Sequence, residues 1–180
     1  INGLFYDPVK KTLIDYVGGK SDIEAGVVRA IGKPAERFDE DYIRLLRAIR
    51  FATVLEFDIE ESTWASIRAG ASNISQIAPE RIREELDRIL VHENRVRGFD
   101  LLVESGLMKA IFPEILELRG CEQPPQWHPE GDVFVHTRLM LSLLPAGEVL
   151  LAHDIFRHLL HSFHESVATR VGRRHLHSPQ

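Results

Sequence analysis

Asp41, Arg44, Arg47 and Arg50 recur every three residues in the run Glu40-Asp41-Tyr42-Ile43-Arg44-Leu45-Leu46-Arg47-Ala48-Ile49-Arg50-Phe51. On an α-helix each step of three falls back by ~60°, so the four predict one slanting ridge. Leu45, Leu46 and Ile49 lie on the other side and can anchor that helix in a core. Three arginines on one ridge repel each other. They suit a polyanion such as a phosphate, which a guanidinium grips with two parallel hydrogen bonds. The plain alternative is a solvated basic face, with Asp39, Glu40 and Asp41 complementing the dipole at the helix start. The Asp-x-x-Arg pair suggests sharper chemistry. A carboxylate accepts from an exocyclic amino group, and a guanidinium donates to a ring nitrogen or carbonyl. Cytosine and adenine each place an amino donor beside an acceptor on the pairing edge, whereas guanine and uracil reverse that pattern. One Asp and one Arg would therefore accept C and A and leave unpaired groups against G and U.

The elements that must carry these residues are mostly helical. Two short strands around Asp7-Pro8 are expected at Leu4–Tyr6 and Thr12–Val17, followed by Gly18-Gly19 and a third possible strand at Val27–Ile31. After Gly32-Lys33-Pro34 the chain reads as helix. A long periodic segment is expected over 39–57, a second helix over 60–70 and a third opening at Pro79 with the stripe Ile82, Leu86, Ile89 and Leu90. A fourth is expected over about 95–105, ending at Gly106, and two more over 132–144 and 148–160. Trp64 is expected in the core. The fold class is thus mainly α with a short N-terminal β portion.

Composition agrees with an ordinary folded protein. The 180 residues are 44% hydrophobic and 27% charged, which excludes a disordered or collagen-like chain. No apolar run approaches the ~18–20 residues that span a bilayer, so no membrane role is expected. A single cysteine, Cys121, excludes an internal disulfide and is read as an inert thiol. The net charge of −5 argues against a protein that is basic throughout, yet a local stripe is enough to hold phosphates. The Ile1 start without Met or signal peptide reads as a chain cut from something longer. Residues 156–180 hold four Arg and five His against Glu165 and read as a divergent basic, His-rich tail.

The string Glu-Asp-x-x-Arg-x-Leu-Arg-x-x-Arg-Phe resembles the base-selecting motif of the class II tRNA nucleotidyltransferase and bacterial poly(A) polymerase family. Other pieces agree in order over about 1–155. Ile1-Asn2-Gly3 is similar to the end of the family's Arg-Arg-Asp-Phe-Thr-Ile-Asn motif, and Asp15-Tyr16-Val17-Gly18-Gly19-Lys20-Ser21-Asp22-Ile23 to its Asp-x-x-Gly-Gly-x-x-Asp-Leu motif. Val28-Arg29-Ala30-Ile31-Gly32 fits as well. Ala78-Pro79-Glu80-Arg81-Ile82-Arg83-Glu84-Glu85-Leu86 resembles the later motif of the neck, and Gly106-Leu107 through Phe112-Pro113-Glu114 the body segment after it.

The resemblance implies residues 1–32 as the end of the catalytic head and 33–122 as a helical neck and body. It implies 123–155 as a partial HD-like domain. The counterparts of Asp41 and Arg44 pair with incoming CTP or ATP, and those of Arg47 and Arg50 fix the nucleotide. Asn2 matches a residue near the ribose and triphosphate, while Gly18, Gly19 and Asp22 match the hinge between head and neck. The RNA partner implied is the tRNA acceptor end, and the location cytoplasmic. The family's Mg²⁺ is held by two carboxylates that precede the segment matching Ile1, so no catalytic residue is assigned here and the chain alone is expected to be inactive. Asp39-Glu40-Asp41 is not that pair, because at a helix start i and i+2 point ~200° apart. These motifs are shared by CCA-, CC-, A- and poly(A)-adding members. His136 with the adjacent His153-Asp154 resembles the first half of an HD phosphohydrolase domain and would form a divalent-metal site. No Asp follows Asp154 to complete the set. A metal-dependent HD-type phosphohydrolase is accordingly the rival reading, and a helical RNA-binding or interaction module the third. The spaced His158, His161 and His164 read as an exposed segment, and Trp127 is left open.

Overall fold

Three prolines open helices. In a computed structural model of the chain, Pro34, Pro79 and Pro113 each stand in the first helical turn, where a missing N–H removes no intrahelical bond. The structure describes residues 3–121 and 131–145. It separates into two compact units, 1–111 and 112–180.

The first unit begins with an antiparallel hairpin, β1 (Leu4–Asp7) and β2 (Thr12–Asp15), in the register Leu4↔Asp15 to Asp7↔Thr12. Asp7 closes its turn by accepting hydrogen bonds from the amides of Val9 and Lys10. A short helix follows, α1 (Gly19–Glu24), then β3 (Val27–Val28). The helices α2 (Pro34–Glu40) and α3 (Ile43–Leu55) come next. The two-residue strand β4 (Asp58–Ile59) pairs parallel with β3. Then follow α4 (Glu61–Gly70), a 3₁₀ segment (Ala71–Gln76), α5 (Pro79–Leu90), α6 (Arg95–Glu104) and α7 (Leu107–Ile111).

Helix α3 is the centre of this unit, packing on α2, α5, α6 and the 3₁₀ segment. Its stripe of Ile43, Leu45, Leu46, Ile49 and Ala52 is fully buried, as the periodicity predicts. Ile67, Ile74, Ile89, Phe99 and Leu102 complete the core from the surrounding elements. Gly98 lets α6 approach closely. A Cβ there would collide with the Ile89 side chain and crowd the Thr53 hydroxyl. Trp64, expected in the core, is only half-buried; Thr63 and Ile67 are the buried residues of α4.

The largest departure from the sequence reading lies at 39–57. The expected single helix is two, broken at Asp41-Tyr42. Asp41 is extended, with φ −164° and ψ 104°. Its own carboxylate accepts a hydrogen bond from the Ile43 amide two residues on, a local bond that competes with helix. Asp39 and Glu40 therefore close α2 instead of opening α3, contrary to the dipole reading. The segments α1, α7 and the 3₁₀ turn are too short for a periodic pattern to reveal.

In the second unit α8 (Pro113–Glu117) and α9 (Val133–Leu143) are described. Leu118, Cys121 and Val133 form a small buried cluster with Phe134 packed against it. Asp132 caps α9, accepting from the amides of Phe134 and Val135, and its other oxygen accepts from the Gly120 amide. Arg119 lies over the Phe134 ring at 4.4 Å. Among the described residues no helix is long and apolar enough to cross a membrane.

Candidate nucleotide-reading site

A cleft of about 160 Å³ opens on the first unit beside α3. Its walls include Asp22, Arg29, Phe38, Arg44, Arg47 and Phe51. The fold thus brings one wall from the α1–β3 region and the opposite one from the arginine ridge. Guanidiniums beside aromatic rings in a cleft suit a planar base carrying phosphates.

The arginines are pre-oriented by two carboxylates, Glu40 and Glu85. Arg44 donates to Glu40 Oε2 at 2.6 Å and to the Arg37 carbonyl, one of the free carbonyls near the end of α2, at 2.8 Å. Arg37 donates to the same Glu40 carboxylate at 2.6 Å. The hydrogen bonds from Arg44 and then Arg37 hold the Glu40 carboxyl below its ordinary range. Arg47 and Arg50 share Glu85 of α5. Their Nε atoms donate to its two oxygens at 3.2 and 2.6 Å, and Arg88 approaches at 3.9 Å. The Glu85 side chain is 5% exposed, against 45% for Arg47 and 17% for Arg50. Arg50 also lies over the Phe51 ring at 4.3 Å.

This alters the picture of a ridge of three repelling cations. Their charges are met within the protein by Glu40 and Glu85, so Arg44 and Arg47 present only part of their donor edges to the cleft. Glu85 carries a signal that the sequence reading missed: a charged residue beside Leu86 in the apolar stripe of α5. A carboxylate at a core-facing position needs a buried partner.

Asp41 is not on that ridge. It stands in the extended link between α2 and α3 and is absent from the cleft's lining. Its Oδ2 accepts from Arg81, in the first turn of α5, at 2.7 Å. Burial pushes the Asp41 carboxyl up, but the Arg81 hydrogen bond, the Ile43 amide and the charges of Arg81 and Arg47 outweigh it and draw it down. The structure therefore gives the Asp41 and Arg44 side chains separate partners.

The glycine pair has a clear local role. Gly18 precedes α1 with φ 73°, a left-handed conformation that disfavours a side chain, and Gly19 packs against Leu4. The Asp15 carboxylate ties the turn by accepting from the amides of Lys20, Val17 and Gly19, which lowers its pKa. Asp22 accepts from Arg29 Nε with both oxygens, at 3.1 and 3.2 Å. A second Arg29 nitrogen lies 3.6 Å from Glu60. Glu60 is the α4 cap. It accepts from the hydroxyls and amides of Ser62 and Thr63, which hold its carboxyl at about 2.

His136 sits on α9, whereas His153 and Asp154 lie outside the described residues, as do Asn2, Trp127 and the His158, His161 and His164 series. Among the described residues no group of three His, Cys, Asp or Glu side chains is placed to hold a metal ion. The described residues thus offer no such group for the Mg²⁺ that the family resemblance implies.

Fold and cleft together define a mainly helical body with an arginine-edged recess beside α3. Residues 56–118 match the family described as the probable RNA and SrmB-binding site of polymerase A. Over 135 residues the chain is 38% identical to the multifunctional CCA protein of Thioalkalivibrio sulfidiphilus, covering 72% of this chain and 32% of that protein. The Bacillus stearothermophilus CCA-adding enzyme, solved with CTP, is 33% identical with a TM-score of 0.56, over 58% of this chain and 26% of that one. A tRNA nucleotidyltransferase solved with a primer tRNA and an ATP analogue is 25% identical with a TM-score of 0.51, over 74% and 42%. The chain belongs to the tRNA nucleotidyltransferase family. It spans about a third of the length of the curated relatives it matches.

Proposed function

We infer that this chain is the nucleotide-selecting and RNA-holding portion of a template-independent RNA nucleotidyltransferase, which adds CTP- or ATP-derived nucleotides to a tRNA 3′ end. The observation that carries the reading is the cleft, where Arg44 and Arg47 stand with donors fixed by Glu40 and Glu85 beside Phe38 and Phe51. Pre-oriented guanidiniums discriminate because they do not reorganise to suit a mismatched base. Arg44 is assigned to the acceptor on the C or A pairing edge and Asp41 to the amino group. Arg47 and Arg50 are assigned to fixing the nucleotide, with Arg50 acting from a more enclosed position. Support comes from the relatives solved with CTP and with a tRNA and an ATP analogue. The family match at 56–118 supports RNA contact over α4 to α8. The reading carries a cytoplasmic location with it.

The family resemblance puts the metal-holding carboxylates before the segment that matches Ile1, so the 180-residue chain alone is expected to incorporate no nucleotide. Two measurements test the reading. A labelled tRNA acceptor minihelix titrated with the chain should bind saturably and more weakly as salt rises, since phosphate contacts release counterions. Incubation with the minihelix, CTP, ATP and Mg²⁺ should leave the RNA length unchanged. Absence of binding, or robust extension, would contradict it.

A further inference from the structure

Arg81 is an odd residue for its place. It occupies the first turn of α5, where a cation opposes the positive end of the helix dipole. Asp41 offsets that cost through the 2.7 Å hydrogen bond to Oδ2. The bond also points the carboxylate towards α5, and Asp41 does not line the cleft edged by Arg44 and Arg47. Arg47, which lines the cleft, adds its charge to the field at the Asp41 carboxyl. The means to redirect that carboxyl is local. Asp41 sits in extended backbone between two helices, and its other oxygen makes only a 3.3 Å bond to the Ile43 amide. Both side chains of the Asp41–Arg81 pair are partly exposed, so exchanging one partner for another is inexpensive.

We propose that Arg81 is a latch on Asp41: it holds the carboxylate out of the cleft in the empty protein, and a base bearing an exocyclic amino group displaces it. The inference rests on the assignment of Asp41 to base reading. A base with an amino donor opposite Asp41 replaces the Arg81 hydrogen bond with its own. A base with a carbonyl there offers nothing to the carboxylate, and Arg81 keeps it. Arg81 thereby adds to discrimination without touching nucleotide, as a positioning residue.

The test is CTP binding by calorimetry to the wild-type chain, Arg81→Gln, Asp41→Asn and the double variant, each checked for folding by circular dichroism. The latch predicts that Arg81→Gln tightens CTP binding by about 2- to 5-fold, the range expected for releasing an exposed ion pair. Asp41→Asn should weaken binding, and adding Arg81→Gln to it should change nothing further. A second readout does not depend on affinity. The NMR signals of the Arg81 guanidinium in the CTP-saturated wild type should move towards those of free Asp41→Asn. Weaker or unchanged binding by Arg81→Gln, tightening that persists in the Asp41→Asn background, or unmoved Arg81 signals would overturn the latch while leaving the site assignment standing. No saturable CTP binding by the wild type would contradict the site assignment itself.

Discussion

Glu85→Ala is the substitution whose consequences follow most fully from the structure. Glu85 is 4% exposed and receives one charge-assisted hydrogen bond from Arg47 and a shorter one from Arg50. Removing one partner of a buried ion pair costs about 3–5 kcal/mol, because the other charge stays buried. Here the two arginines differ. Arg47 is 45% exposed and turns to water, so its share is a surface value of about 0–1 kcal/mol. Arg50 is 17% exposed and stacked on Phe51, and it has no such escape. The expected loss is about 3–4 kcal/mol, the lower part of the buried-pair range. Urea unfolding followed by circular dichroism measures it, with the slope checked for constancy. Glu85→Ala combined with Arg50→Ala should cost at least about 1 kcal/mol less than the sum of the single variants, since both remove one interaction. A Glu85→Ala protein within about 0.5 kcal/mol of the wild type, the range of an ordinary surface change, or strict additivity, would refute the reasoning.

Two further variants probe the frame around the cleft. Gly98→Ala should destabilise by about 1–3 kcal/mol, because the new methyl group meets Ile89 and Thr53 where α6 lies close to α3 and α5; unchanged unfolding would show that the helices part freely. Glu60→Ala should cost about 0.5–1 kcal/mol at neutral pH, the range of a lost helix cap discounted for solvent access. The Glu60 carboxyl is lowered from 4.5 to about 2, so its contribution is complete above about pH 4.5 and is lost as pH falls towards 2. The stability gap between wild type and Glu60→Ala should shrink over that window, and a gap independent of pH would contradict the assignment.

The helical class and the buried side of α3 were legible because an amphipathic helix repeats its apolar positions: Ile43, Leu46 and Ile49 are buried where the pattern placed them. The break at Asp41-Tyr42 was hidden because the same apolar spacing runs on through it, and only the local hydrogen bond from the Ile43 amide to the Asp41 carboxylate marks it. The arginine ridge was legible from Arg44 to Arg50. Its counter-charges were harder to read, since Glu85 lies far along the chain and meets the ridge only when α5 packs on α3. Arg81 was hidden for the same reason. Its partner, Asp41, stands 40 residues earlier. The turn at Gly18-Gly19 was marked by its glycines, whereas the role of Asp15 was not, because its three amide donors meet the carboxylate only once the turn has folded.

The central claim is that the α3 cleft distinguishes bases by their pairing edge, and it is tested most directly by titrating the chain with CTP, ATP, GTP and UTP under one set of conditions, before and after Arg44→Ala. The account predicts that CTP and ATP bind at least about 10-fold more tightly than GTP and UTP, the effect of one unmatched buried polar group, and that Arg44→Ala narrows the gap. Four nucleotides bound alike by the wild type, or a gap unchanged by Arg44→Ala, would contradict it.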